Sequence, residues 1–179
     1  MFKLIQKGIQ AISNYKNLTS KQATSIMQEI LSGATTQAQT SAFITALKMK
    51  GETIEEITAF AQVLKENGIS IKPNIKKKII DTCGTGGDIA QTFNISTCTA
   101  FVLAGSGICV AKHGNRSVTS NCGSADLLEG FGLKLNIDSK QIEKSIEEIG
   151  IGFLYAPIFH PTMKYVAPIR KEIGMRTVF

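Results

Sequence analysis

The sequence predicts a small all-helical domain over residues 1–72, followed by an α/β domain with a mainly parallel sheet over residues 73–179. Up to Gly68 every apolar pattern has helical spacing, and successive segments open on a capping signature and close on a glycine. Beyond Pro73, short apolar runs alternate with helical patterns, the grammar of parallel strands joined by crossover helices. Between the first such run and the next helix lies the glycine-rich octapeptide Asp81-Thr82-Cys83-Gly84-Thr85-Gly86-Gly87-Asp88. Ligands gather at such strand ends.

Phe2, Ile5, Ile9 and Ile12 recur at helical spacing and predict a first helix. Thr19 with Gln22 makes a capping box ahead of Ile26, Met27, Ile30 and Leu31, and Gly33 is the stop. The arrangement recurs with Thr36 and Gln39 before Phe43, Ile44 and Leu47, up to Gly51. It recurs again with Thr53 and Glu56 before Ile57, Phe60, Ala61 and Leu64, up to Gly68. Lys72-Pro73-Asn74 is the expected exit linker, since proline does not continue a helix.

Ile79-Ile80 is the first expected strand, leading into the glycine loop. Asn94-Ile95-Ser96-Thr97 opens a helix through Phe101 and Leu103, and Ile108-Cys109-Val110-Ala111 is a buried strand. A helix from Ala125 to about Phe131 follows, then one capped by Asp138 with Ile142, Ile146 and Ile149 inward, then the strand Gly152 to Ala156. Pro157 to Phe179 carries three of the four prolines before a helical pattern around Tyr165, Ile169 and Ile173. Thr177-Val178-Phe179 resembles a strand or loop start, so the α/β domain is expected to be incomplete at its C-terminus, with an exposed half-sheet prone to self-association.

At 179 residues and 43% hydrophobic, the chain can bury a real core. No apolar run approaches the ~18 residues of a membrane span, and Met1-Phe2-Lys3-Leu4-Ile5-Gln6-Lys7 is interrupted too soon for a signal peptide. The expectation is a cytoplasmic protein with no membrane partner. Cys83, Cys98, Cys109 and Cys122 include no Cys-x-x-Cys pair, and His113 and His160 complete no zinc spacing. Cys83 has no histidine near it in sequence, so small-residue packing is its expected role.

Twenty basic against 14 acidic residues give a net charge of +6, a field that favours anionic ligands. Lys76-Lys77-Lys78 is expected to be a solvated face. The octapeptide suits a phosphorylated guest, because glycines let successive N–H groups turn inward around anionic oxygens. It lacks the Lys-Ser/Thr ending of the common phosphate loop and the spacing of the dinucleotide fingerprint. Asn94 to Thr97 adds hydroxyls and a helix N-terminus, and Lys112 to Ser120 adds two cations, an amide and three hydroxyls beyond a buried strand.

These blocks, Asp81 to Asp88, Asn94 to Thr97, Lys112 to Ser120, then His160-Pro161 and Arg170, resemble in their order the anthranilate phosphoribosyltransferases of tryptophan biosynthesis. The resemblance covers the chain to its last residue and implies a nucleoside phosphorylase/phosphoribosyltransferase-like fold. The implied reaction is displacement of pyrophosphate from 5-phosphoribosyl 1-diphosphate by the nitrogen of anthranilate. The resemblance implies that Gly84, Gly87, Asp88 and Thr92 line the phosphoribosyl diphosphate site and that Asn94, Ile95, Ser96 and Thr97 hold its phosphates. Ser96 would also sit on Mg²⁺. Lys112, His113, Gly114, Asn115, Arg116, Ser117, Val118, Thr119, Ser120 and Ser124 would close over diphosphate and ribose. Gly84, Asn115 and Arg170 would hold anthranilate, and no covalent nucleophile is implied.

The resemblance further implies a homodimer formed through the helical domain, which would also supply one wall of the cleft. An adjacent Asp-Glu pair that holds Mg²⁺ in the family would lie beyond residue 179. Two other readings remain open from the sequence. A pyrimidine-nucleoside phosphorylase shares the architecture, and a non-catalytic basic module could bind nucleic acid through the +6 charge. The second is weakened by 7% aromatics, no Trp and no basic stripe interleaved with aromatic residues.

Overall fold

The computed structural model describes residues 4–84, 93–117 and 122–178. The chain forms two compact units, one of residues 1–68 with 160–179 and one of residues 69–159.

The first unit is helical, with α1 (Leu4–Ser13), α2 (Ser20–Leu31), α3 (Gln37–Lys50) and α4 (Ile54–Glu66). Thr19, Thr36 and Thr53 each accept a hydrogen bond from the backbone N–H three residues on, while Gln22, Gln39 and Glu56 reach back to the cap N–H. All three expected capping boxes are formed. Their apolar stripes meet in a core that includes Ile5, Met27, Ile30, Phe43, Leu47, Phe60 and Val63. Phe43 and Phe60 meet edge to face with centroids 6.3 Å apart.

An ion pair missed by the sequence reading lies inside this core. Lys50 Nζ is 2.9 Å from Glu56 Oε2, with the two side chains 3% and 0% exposed. Glu56 also accepts from Leu18 N at 2.9 Å and Thr53 N at 2.8 Å, and Lys50 donates to Asn17 Oδ1 and Gly51 O. Burial pushes the Glu56 carboxyl up, but the Leu18 and Thr53 amides and the Lys50 ammonium outweigh it and hold the group below its ordinary value. Glu56 therefore caps α4 and ties the α1–α2 turn to the end of α3.

The second unit holds β1 (Ile79–Ile80), α5 (Ile95–Gly105), β2 (Cys109–Gly114), α6 (Ser124–Gly130), α7 (Ser139–Ile149), β3 (Ile151–Tyr155) and α8 (Ala156–Phe159). The sheet has the order β1-β2-β3 and is parallel throughout, with Ile79 opposite Cys109 and Val110 opposite Ile151. Ile142 and Ile146 of α7 pack with Cys109, Ala111 and Leu154. Ala125 and Leu128 of α6 pack with Phe153 and Tyr155, strand neighbours that alternate to the opposite face.

Residues 160–179 pack with the helical unit, where a 3₁₀ turn (Pro161–Tyr165) and α9 (Ala167–Ile173) place Val166 and Ile169 in its core. Three expectations need correcting. Val178 also packs there rather than opening a strand. Ile149, expected inward, is 67% exposed at the last residue of α7. Cys83 is exposed, so it does not serve packing, whereas Cys109 is the buried cysteine. The Lys76 to Lys78 run is exposed as expected.

Candidate phosphate-binding site

Strand β2 runs three residues further than its apolar run, so Lys112, His113 and Gly114 are strand residues paired with Phe153, Leu154 and Tyr155 of β3. Alternation along the strand turns Lys112 away from the α7 face and toward the start of α5. Lys112 is 2% exposed, and its ammonium donates to Thr82 O and, at 3.3 Å, to Ser96 Oγ. Burial pushes its pKa down, against the opposing pull of Asp81 and Cys83.

That ammonium joins the three blocks that the sequence set far apart. Thr82 Oγ1 donates to Ser96 O at 2.8 Å, and His113 N donates to Asp81 Oδ1 at 3.3 Å. Asn94 caps α5 by accepting from Thr97 N at 3.1 Å and from the hydroxyls of Thr97 and Ser96. The start of the glycine loop, the α5 N-terminus and the end of β2 therefore meet at one end of the sheet. Gly84 is exposed beside Cys83.

The segment after β2 is held by a residue absent from the sequence reading. Asp126 Oδ2 accepts from Ser117 N at 2.8 Å and from Gly123 N at 2.9 Å, and Ala125 N donates to Asn115 O. These amides hold the Asp126 carboxyl below its usual range. Gly123 makes the closure possible, because a Cβ there would lie 2.3 Å from Ser117 N. The acidic residue two positions into α6 was the available signal, but its partners lie across a loop and local periodicity does not reveal them.

Arg116 is exposed and ion-paired. Its guanidinium donates to Glu129 at 2.7 and 3.0 Å and to Asp126 at 3.2 Å; these partners raise its already high pKa, and Arg116 in turn lowers that of Glu129. Asn115 is exposed, Asn115 Oδ1 accepts from Arg116 N, and Ser124 begins α6 beside Gly114. Gly87, Asp88, Thr92, Val118, Thr119 and Ser120 lie outside the described residues.

Arg170 and His160 fall in the helical unit. Arg170 is half-buried, its Nε donates to Thr177 Oγ1 at 3.1 Å, and burial pulls its pKa down. The His160 ring lies against Gly68. The residues expected to hold anthranilate are thus divided, with Gly84 and Asn115 in the α/β unit and Arg170 in the other.

Residues 76–179 match the family described as glycosyl transferase family, a/b domain, and residues 4–68 match the helical bundle domain of the same family. The chain belongs to this glycosyl transferase family. Among relatives of this chain, the anthranilate phosphoribosyltransferase of Chloroflexus aurantiacus is 51% identical over 98% of this chain and 51% of its own length. The enzyme of the same name from Dehalococcoides mccartyi is also 51% identical over 98% of this chain and 51% of its own length.

Among solved structures, anthranilate phosphoribosyltransferase from Thermus thermophilus superimposes with a TM-score of 0.86 at 37% identity, covering 96% of this chain and 52% of that one. The Saccharomyces cerevisiae enzyme in complex with PRPP and Mg gives 0.88 at 29% identity, covering 98% and 52%. The chain thus spans about half the length of the relatives it matches. Among its described residues no helix is long and apolar enough to cross a membrane.

Proposed function

We propose that this chain carries the phosphoribosyl-diphosphate-binding portion of a cytoplasmic anthranilate phosphoribosyltransferase, which joins anthranilate to the phosphoribosyl group and releases diphosphate in tryptophan biosynthesis. The observation that supports this best is the Lys112 ammonium, fixed between Thr82 O and Ser96 Oγ so that glycine loop, α5 N-terminus and strand end form one anion-receiving edge. The names of the relatives given above agree with it.

Displacement at the anomeric carbon builds positive charge on the ribose while negative charge collects on the departing diphosphate. Catalysis then needs fixed donors and positive potential aimed at the leaving group. The N-terminus of α5 supplies the positive end of a helix dipole, and Asn94 holds that terminus in place. Lys112 donates to Thr82 O and Ser96 Oγ, so it contributes a buried positive charge beside the start of the loop. No nucleophilic side chain is needed, because the amine of anthranilate attacks directly. Arg170 is the candidate for the anthranilate carboxylate, and the helical unit, with Ile54 and Ile57 exposed on α4, is the candidate homodimer surface.

Magnesium does not fit the described residues on their own. Ser96 Oγ has an ammonium 3.3 Å away, and among the described residues no three His, Cys, Asp or Glu side chains cluster. Mg²⁺ prefers carboxylates and substrate phosphates.

Titration calorimetry with phosphoribosyl diphosphate tests the reading, using this chain and Lys112→Met, which keeps the apolar stem. Loss of the buried charge is expected to weaken binding by about 1.5–3 kcal/mol, roughly 10- to 150-fold. Equal affinity in both proteins would remove Lys112 from the site. Binding only to oligonucleotides, falling steeply with salt, would replace the enzyme reading with the nucleic-acid one.

A further inference from the structure

The guanidinium of Arg170 is half-buried and has no carboxylate partner among the described residues. Its Nε donates to Thr177 Oγ1 at 3.1 Å, and burial without a counter-charge lowers its pKa. Arg116 is the contrast, since its guanidinium is paired with Glu129 and Asp126. With Nε engaged, the N–H groups on Nη1 and Nη2 of Arg170 remain. No side-chain nitrogen among the described residues is both buried and without a partner, so these two atoms reach solvent. Together they form a planar fork that matches a carboxylate through two parallel hydrogen bonds.

The chain reversal after α9 delivers Thr177 to this position. Gly174 ends the helix with φ +67°, a left-handed conformation that glycine adopts at little cost, and its N–H donates to Arg170 O at 3.2 Å. Beyond the turn, Val178 packs against the helical core. These two contacts hold the turn through backbone and apolar surface, whereas the Thr177 hydroxyl fixes a side chain. An acceptor on Nε sets the plane of the guanidinium, because all its N–H groups lie in that plane. Anchored in advance, the Arg170 side chain loses less freedom when a ligand binds.

We propose that Thr177 is a positioning residue for anthranilate: its hydroxyl holds the Nε–H of Arg170, so that the carboxylate of the ligand is received end-on by Nη1 and Nη2. The inference rests on the reading of Arg170 as the carboxylate partner, and it extends that reading to a residue that acts through Arg170 rather than on the ligand. The side of the fork that includes Nε is taken, so a carboxylate has only the outer end to meet. Thr177 therefore contributes to the choice of an aromatic amine that carries a carboxylate over one that lacks it. Serine would keep the acceptor, and valine would keep the shape without it.

Thr177→Val and Thr177→Ser separate the hydroxyl from the bulk of the side chain. In the ligand-free chain with isotope-labelled arginine, solvent exchange of the Arg170 Nε–H should speed up roughly three- to tenfold in Thr177→Val and stay near the parent rate in Thr177→Ser. Fluorescence titration with anthranilate should show Thr177→Val weakened by a similar factor and Thr177→Ser restoring most of the loss. Aniline, which lacks the carboxylate, should bind alike to all three proteins, whereas a merely structural role would weaken both ligands together. Equal anthranilate affinity in the parent and Thr177→Val, with Arg170→Met weakened, would overturn the positioning role and leave Arg170 in place. An equal loss for aniline, or no recovery in Thr177→Ser, would overturn it as well. If Arg170→Met bound anthranilate as the parent does, the reading of Arg170 itself would fall and this inference with it, so the two failures are distinct.

Discussion

Replacing Glu56 by Gln should unfold the helical unit far more readily than its surface chemistry suggests. The change keeps the shape of the side chain but removes the counter-charge of Lys50, whose side chain is only 3% exposed. It also puts an amide donor where the carboxylate accepts from Leu18 N, Thr53 N and Lys50 Nζ, so at least one of these donors loses its acceptor. Breaking one side of a buried pair costs about 3–5 kcal/mol, whereas an exposed pair contributes about 0–1 kcal/mol. With a urea dependence of about 2 kcal/mol per M, the midpoint followed by far-UV circular dichroism should fall by roughly 1.5–2.5 M. Lys50→Met should cost less, because the carboxylate keeps both backbone donors. A loss below about 1 kcal/mol for Glu56→Gln would refute the reasoning, since the pair would then behave as an exposed one. The pH sign follows from the lowered carboxyl. This contribution is whole above the ordinary glutamate value of about 4.3 and is lost as pH falls through the folded-state value, and Glu56→Gln should lack that acid-sensitive portion.

Gly33→Ala should destabilise the same unit by at least about 1–2 kcal/mol, because φ is +74° there and the new methyl would stand 2.6 Å from Tyr165 Cε1. Adding Tyr165→Ala should relieve only the contact part; full recovery in a thermal melt would count against the backbone argument. Asp126→Asn should speed hydrogen exchange at the Ser117 and Gly123 amides by about tenfold or more while leaving α3 unchanged, and unaltered exchange would show that these bonds do not hold the segment. For Lys112, whose pKa is lowered by burial, affinity for phosphoribosyl diphosphate should fall at a pH below the ordinary lysine value of about 10.4. In the same window the unfolded chain binds more protons than the folded one, so folding stability should rise with pH, and an affinity profile identical to Lys112→Met would remove the charge from the explanation.

The capping boxes at Thr19, Thr36 and Thr53 were legible because each is completed within four residues by side chains that meet only in a helix. The parallel strands were legible for a similar reason, since short apolar runs separated by helical patterns leave few other topologies. The site was legible as residue types, a glycine loop, a capped helix and a basic strand end, but not as a set of bonds. Arg116 reads from the sequence as an anion ligand, but its bonds to Glu129 and Asp126, thirteen and ten residues away, are not visible there. Ile149 fitted the inward face of α7, yet as the last residue of that helix it is exposed. Residues 160–179 looked like a continuation of the α/β pattern, but Val166 and Ile169 found their apolar partners in the helical core.

The sequence by itself determined the local grammar: where helices start, which runs become strands, and that a glycine-rich segment follows the first of them. Propensity, capping and periodicity act over a few neighbouring residues, so they can be read without coordinates. Only the tertiary structure decided that Lys112 turns inward to join Thr82 and Ser96, that Glu56 serves both as a cap and as the partner of Lys50, and that Asp126 ties Ser117 to Gly123. Those outcomes depend on which distant groups meet once apolar faces are buried, because a buried charge is tolerated only where the fold delivers partners to it.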